Sequence, residues 1–263
     1  MADTTHRMGL RPGANLQDSL VRTLPLGLRR WVRKQQRRFH IHWPPLGKVD
    51  FGDLRRVKPV SSSFGMDRGQ DISRYYIEKF LSDNAGDIKG RVLEFGDPAY
   101  TLKYGQACVI QSDVLSVVPG NPKATIVADL SKENSIPSNT FDCIICTQTL
   151  QMIFDVRHAL RQMERILKPG GVILITTHGI SQIGRFEGID DWGEYWHFTS
   201  QSLRHLVHEF FPPAQAEIHG FGNVLAAVAH LHGLCSQDVT EEELDIRDPA
   251  YDVLIGARAR KSN

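Results

Sequence analysis

The strongest constraint on the fold is a run of five short apolar segments, interleaved with helical-period stretches, between residues 91 and 177. The segments are Arg91-Val92-Leu93-Glu94-Phe95-Gly96, Ala107 to Asp113, Thr125 to Asp129, Phe141 to Cys146 and Val172 to Thr177. The first ends in glycine, and the second and third end in an acid. The fourth is apolar enough to be buried on both faces, as central parallel strands are. Before them, Ile72, Tyr75, Tyr76 and Phe80 repeat at helical spacing. Between the fourth and fifth, Val156, Ala159, Leu160, Met163, Ile166 and Leu167 form a helical stripe that Lys168-Pro169-Gly170-Gly171 stops. Leu203, Leu206, Val207 and Phe210 predict a helix after Thr199, Val224 to Leu234 another, and Tyr251 to Ala257 a last strand. Strands alternating with helices require right-handed crossovers and a mostly parallel sheet covered by helices on both faces.

Charge divides the chain of 263 residues. Residues 1–60 carry 13 Lys/Arg against four acids, Asp3, Asp18, Asp50 and Asp53, a net of +9. Residues 61–263 carry 18 basic and 26 acidic residues, a net of −8. The expectation is a basic arm over 1–60 and an α/β domain over 61–263. Within the arm, Arg29 to Phe39 reads as a short cationic helix ended before Trp43-Pro44-Pro45. Such an arm is either a solvated tail or a docking element for an anionic surface, an acidic partner or nucleic acid; Trp31 and Phe39 among arginines fit interfacial docking. No apolar run has the roughly 18–20 residues that span a bilayer, so no transmembrane segment is expected. Leu24-Pro25-Leu26-Gly27-Leu28 is too short for a signal peptide core. Four cysteines, Cys108, Cys143, Cys146 and Cys235, do not suggest a disulfide scaffold, and the default location is cytoplasmic.

In a sheet of this kind ligands bind outside the carboxyl ends of the strands. Three predicted strand ends carry an acid there: Glu94, Asp113 and Asp129. Any one of them alone could be a solvated loop residue. Their joint placement points to a nucleoside, because an acid after the second strand can accept both ribose hydroxyls. A dinucleotide would need G-x-G-x-x-G for its pyrophosphate. The chain has Gly96-Asp97-Pro98-Ala99-Tyr100-Thr101 instead, and no P-loop.

The order of elements resembles the class I S-adenosylmethionine-dependent methyltransferases, over about residues 68–260. Val92 to Asp97 is similar to their first motif. Asp113 matches the ribose-binding acid, Ala128-Asp129-Leu130 the adenine-side motif, and Phe141 to Gln151 the fourth-strand motif. Leu160 to Leu167 running into Lys168-Pro169-Gly170-Gly171-Val172-Ile173-Leu174-Ile175 is similar to the family's most recognisable stretch. The resemblance implies a Rossmann-like fold with a seven-stranded sheet. It also implies S-adenosylmethionine as cofactor, held by Glu94, Gly96, Asp97, Asp113, Asp129, Leu130, Thr147 and Gln148. Asp67 to Glu78 is similar to the lead-in of methyltransferases found with bacterial glycan and natural-product pathways. One departure stands out: the family pattern is E-x-G-x-G-x-G, and here Pro98 and Tyr100 occupy the second and third glycine positions. Proline fixes φ and lacks an N–H, so the loop must take another path or bind the cofactor less well.

Methyl transfer from a sulfonium is an in-line displacement in which the protein mainly positions the acceptor. After the fifth strand come His178, Glu187, Asp190, Asp191, Trp192, Glu194, Tyr195, Trp196 and His197. Aromatic walls with carboxylates and imidazoles suit a small-molecule or glycan acceptor, methylated at oxygen. His197 is the first candidate for the base and His178 the second. The competing reading packs Trp196 and Phe198 under a loop, with Thr199 as a helix cap. Cys143-x-x-Cys146 lacks the second pair a tetrahedral metal site needs and reads as core; no metal is expected. His230-Leu231-His232 reads as structural. Two alternatives stand beside the small-molecule enzyme. One is an RNA ribose methyltransferase whose arm holds phosphates. The other is a non-catalytic binding module, which Pro98 and Tyr100 would suit. After the fourth strand, Thr147-Gln148-Thr149-Leu150 is not the N/D-P-P-aromatic motif of base amino-methylation.

Overall fold

The structure, a computed structural model, describes residues 23–39, 44–184 and 193–263. The chain divides into two units, Met1–Val57 and Lys58–Asn263. Lys58 to Val60, grouped with the arm by charge, belong with the second unit: the Val60 amide donates to the His232 carbonyl at 2.7 Å.

In the first unit, helix α1 runs Leu26–Arg38. It starts directly after Pro25, which cannot supply a helical N–H, and long unbranched Arg, Lys and Gln side chains favour it throughout.

The second unit is built on one seven-stranded sheet in the order β3-β2-β1-β4-β5-β7-β6. The strands are β1 Gly90–Phe95, β2 Val109–Ser116, β3 Ile126–Val127, β4 Phe141–Thr147, β5 Leu167–His178, β6 Ala216–Phe221 and β7 Leu254–Arg260. β1 to β5 pair in parallel, and β7 runs antiparallel to both β5 and β6. The helices are α2 Ile72–Asp83, α3 Val156–Ile166, α4 Ser200–His208, α5 Val224–Leu231 and α6 Glu241–Asp245.

Strand alternation sends β4 into two separate cores. Ile144 and Cys146 face α3 and α4, with Leu160, Met163, Leu203 and Val207. Cys143 and Ile145 face α2 and α5, with Ile72, Phe80 and Ala226. The two cysteines of the C-x-x-C pair therefore lie on opposite faces and cannot converge on one ion; burial pushes the Cys146 thiol up to about 12. Helix α3 follows from its stripe: Ala159, Leu160, Met163 and Ile166 are fully buried, and Asp155 caps it by accepting from the His158 amide at 2.9 Å. A Leu160→Ala change here would cost about 2–5 kcal/mol through lost transfer energy and a cavity.

Three expectations are corrected. The second strand ends at Ser116, not at Asp113, which pairs level with Leu93 in the middle of β2. The crossover from β1 to β2 holds only a π-type turn, Thr101–Gly105, and a 3-10 turn, Gln106–Cys108, because Pro98 and Gly105 bracket a stretch with no helical stripe. β6 went unread because Glu217 and His219 break its apolar run at the sheet edge.

Candidate active site at the carboxyl ends of the strands

β1 ends at a turn that requires Gly96, whose φ is +78°. A Cβ there would meet nothing within 4 Å, so the turn borders open space. Glu94, 2 % exposed, sits beneath it. Its Oε1 accepts from the Tyr100 amide at 3.1 Å and its Oε2 from the Thr101 amide at 2.7 Å. Burial raises its pKa, and these hydrogen bonds offset the rise only in part. The acid of the first motif therefore shapes the loop that carries Pro98 and Tyr100 in place of the two glycines.

Asp97 stands at the rim. Its Oδ1 accepts from the Ala99 amide at 2.9 Å, and its Oδ2 pairs with Lys123 from the segment after β2. The hydrogen bond from Lys123 holds the Asp97 carboxyl below its usual range. Asn121 of the same segment donates to the Gly96 carbonyl at 2.7 Å. The expected ribose acid is not brought to this rim: the buried Asp113 carboxylate accepts from Arg91 Nε at 2.7 Å, Thr125 Oγ1 at 2.9 Å and Gln111 Nε2 at 3.1 Å. The residues that follow β2, Val117 and Val118, carry no charge. Asp129 follows β3 and accepts from the Ser131 amide and hydroxyl at 2.9 and 2.6 Å; the Ser131 side chain holds its pKa low. Leu130 is core, 2 % exposed.

β4 ends at Thr147, and Gln148 turns away with a φ of +48°. Its amide donates to the Thr176 carbonyl at 2.8 Å. A side-chain relay follows: Thr177 Oγ1 donates to Gln151 Oε1 at 3.0 Å, and Gln151 Nε2 donates to Gln148 Oε1 at 2.9 Å. Gln148 Nε2 and Thr176 Oγ1 are buried without a hydrogen-bond partner.

β5 ends at His178, whose ring stacks on Phe64 at 6.3 Å and lies 6.4 Å from His197 and 6.3 Å from His230. Burial, then His230 and His197, push its pKa down to about 3, so the ring is neutral at physiological pH; its Nδ1 is buried and unpartnered. Burial thus makes His178 a weaker base than an ordinary imidazole. His197 differs: its side chain is 33 % exposed, and its Nε2 lies 3.2 Å from Glu194 Oε1. Glu194 Oε2 also accepts from the Gly184 amide, which ties together the two described ends of the acceptor loop. Glu187, Asp190, Asp191 and Trp192 lie outside the described residues.

The aromatic residues of this loop divide. Phe198 is buried in the core and its amide donates to the His178 carbonyl at 2.9 Å. Thr199 caps α4. Tyr195 and Trp196 are partly exposed and pack on Phe154 at 5.3 and 6.0 Å. Beside them Phe154, Trp196, His197, His205 and Leu206 line a cavity of about 490 Å³. A second cavity, about 460 Å³, lies around Gly90, Asp142 and Gly170 at the opposite, amino-terminal edge. The first is the relevant one, because the carboxyl edge of a parallel sheet is where its loops diverge and ligands enter.

Sequence reasoning missed Phe64, Asp71, Gln151 and Ser181. His230 is fully buried and links two of them: its Nδ1 lies 3.3 Å from Asp71 Oδ1 and its Nε2 3.1 Å from Ser181 Oγ. Asp71 also caps α2 through the Ser73 and Arg74 amides. Burial raises the Asp71 pKa, but the His230 and Ser73 bonds outweigh it, so the carboxyl stays ionised below its usual range. Among the described residues no group of His, Cys, Asp and Glu is arranged to hold a metal ion.

Five parallel strands followed by an antiparallel β7 inserted beside β5 define the class I methyltransferase fold. A family model described as a methyltransferase domain matches residues 70–216, more than half of the chain, and the chain belongs to that family. The class uses S-adenosylmethionine. The site fits that cofactor at the open turn of Gly96 and at the unpartnered Gln148 and Thr176 atoms; it offers no acid at the end of β2. Curated relatives include the ubiquinone/menaquinone biosynthesis C-methyltransferase UbiE of an Enterobacter species, 29% identical in an alignment of 119 positions that covers 36% of this chain and 47% of that protein. The Pasteurella multocida UbiE is 51% identical over 39 residues, 15% of each chain. This chain thus spans less than half the length of these relatives. Similar solved structures include the N-methyltransferase NodS of Bradyrhizobium japonicum with S-adenosylhomocysteine, at 14% identity and TM-score 0.47 over 80% of this chain and 95% of that one. Another is a possible histamine N-methyltransferase of Thermotoga maritima, at 13% identity and TM-score 0.49 over 73% and 92%.

Proposed function

We propose that the chain transfers a methyl group from S-adenosylmethionine to a hydroxyl of a small molecule or glycan. The observation that carries this reading is the Glu194–His197 pair at the mouth of an aromatic-walled cavity, beside the buried neutral His178. The cofactor supplies a methyl group already activated on a sulfonium. With the cofactor bound, His197 would take the acceptor's hydroxyl proton on Nδ1, because Nε2 faces Glu194, while the acceptor oxygen gains the methyl group and the sulfonium S–C bond breaks to leave the neutral thioether S-adenosylhomocysteine. Glu194, with Oε1 3.2 Å from the ring, stabilises the imidazolium that results. Tyr195, Trp196 and Phe154 supply stacking faces for a sugar or aromatic ring. On the cofactor side, Gly96 lets the chain turn, Gln148 and Thr176 offer unpartnered atoms, and Asp97, the acid at the rim, accepts the ribose hydroxyls in place of Asp113.

The test has two stages. Calorimetric titration with S-adenosylmethionine establishes the site; absence of binding would favour a non-catalytic binding module, a reading that the Asn121–Gly96 and Lys123–Asp97 contacts across the rim also support. Methyl transfer from labelled cofactor to a panel of hydroxylated acceptors then compares wild type with His197→Gln. Turnover should fall by about 10²–10⁴ with cofactor affinity kept. Full turnover in the variant would remove His197 as the base.

A further inference from the structure

Helix α1 separates its residues by chemistry around its axis. Leu28, Trp31, Val32, Gln35 and Phe39 follow the i, i+3, i+4, i+7, i+11 spacing of one helix face. Positions 30, 33, 34 and 37, three arginines and a lysine, follow the same spacing on the opposite face, with Arg29 and Arg38 at its margins. The helix contains no acid. Three large side chains of the apolar face are exposed, Leu28 at 47%, Trp31 at 57% and Phe39 at 63%, while Val32 and Gln35 between them are half-buried. Leu26, in the first turn, alone breaks the segregation.

We infer that α1 is an interfacial anchor that lies flat on an anionic lipid surface. At 1.5 Å per residue it is about 20 Å long, too short to cross a hydrocarbon core of about 30 Å, and no helix among the described residues is long and apolar enough to do so. A flat orientation lets Leu28, Trp31 and Phe39 enter the acyl boundary while the flanking cations reach lipid phosphates. Trp at the headgroup level is where its amphipathic ring is best accommodated. The apolar face decides between polyanions: RNA would use the cations alone and leave three large apolar side chains in water, whereas a lipid surface takes both faces. Four exposed cations, Arg30, Arg33, Lys34 and Arg38, on a helix that contains no acid supply the complementarity, at about 1 kcal/mol each near an anionic surface.

Vesicle sedimentation of the full chain tests this. Vesicles of phosphatidylcholine with one-third phosphatidylglycerol should bind at least about ten-fold more tightly than pure phosphatidylcholine. Trp31→Ser with Phe39→Ser should weaken binding to the anionic vesicles at least about ten-fold, with the far-UV circular dichroism and thermal melt of the chain unchanged. Arg33→Gln should weaken it about five-fold, the equivalent of about 1 kcal/mol. Equal binding to neutral vesicles would overturn the inference. So would wild-type binding by the double variant, because the apolar face would then take no part. Tight binding to polyuridylate without binding to anionic vesicles would assign the helix to nucleic acid instead.

Discussion

Removing the Glu94 carboxylate should loosen the cofactor loop and the fold together. In the native chain both oxygens are occupied by backbone amides, those of Tyr100 and Thr101, at 3.1 and 2.7 Å. Glu94→Ala leaves both amides without an acceptor in a place where the replaced residue was 2 % exposed, so water does not readily take over. Each buried unsatisfied donor costs about 1–3 kcal/mol; allowing for relaxation of the loop, the sum is about 2–5 kcal/mol. For a unit of this size that lowers Tm by about 5–15 °C. Glu94→Gln keeps one acceptor and should cost about half as much. The pH dependence separates this account from a packing defect. The folded-state pKa of Glu94 is raised, chiefly by burial, so the folded chain binds more protons here than the unfolded chain does. The stability Glu94 contributes is therefore fully present below the ordinary glutamate pKa of 4.5 and declines as pH rises through the folded-state value. Urea denaturation at a series of pH values should show that decline in wild type and lose it in Glu94→Gln. A Glu94→Ala melt within about 1 °C of wild type would refute the loop-clamp argument, because even one orphaned amide exceeds that shift.

Asp113→Ala should destabilise the fold by about 1.5–3 kcal/mol, by stripping Arg91 and Thr125 of their charged partner, while S-adenosylmethionine affinity measured by calorimetry changes less than about two-fold; a large affinity loss in a stable variant would return Asp113 to the ribose. Lys123→Ala frees Asp97 and, the pair being half exposed, should tighten cofactor binding by no more than about five-fold; weaker binding would make the pair a brace for the loop rather than a competitor for the ribose. His178 is neutral in the fold, with a pKa of about 3; the stability it contributes is complete above the ordinary 6.5 and is lost as pH falls from 6.5 toward about 3. His178→Asn should flatten the acid side of the stability curve, read by denaturant titration between pH 7.5 and 4, and an unchanged curve would show that the ring is not buried in solution.

What could be read from sequence depended on whether a signal was local. β4 and α3 were legible because a continuous apolar run and a 3.6-residue stripe each determine an element without outside help. The register of β2 was not. Val109 and Ile110 precede Asp113, and Val114 and Leu115 follow it, so an internal acid looks like a strand end. Only Arg91 from β1 and Thr125 from the segment before β3 show that the acid is accommodated inside the sheet. The imidazole cluster was illegible for a similar reason. His178 and His197 stood out beside the fifth strand, but Phe64 and His230 come from opposite ends of the domain. His230 sits in an apolar helix where its pattern reads as core. The usable signal was Asp71, an N-cap ahead of the Ile72 stripe, whose carboxylate both caps α2 and faces His230.

The departures from the family's glycine pattern and the displaced acid form one arrangement. A glycine-rich loop leaves its amides open to a cofactor. Here Glu94 collects two of those amides, and Asn121 and Lys123 reach back from beyond β2 to bond Gly96 and Asp97. That half of the crevice is therefore pre-bonded to itself, and any ligand entering it must exchange contacts rather than fill open ones. The β4–β5 half is the reverse: Gln148 Nε2, Thr176 Oγ1 and His178 Nδ1 are buried with nothing to bond. Unsatisfied buried atoms cost stability in the empty protein and return it when a ligand supplies their partners. Under the function proposed above, S-adenosylmethionine affinity should then come mainly from the β4–β5 half, with the half at Gly96 and Asp97 setting how far the loop after β1 must open.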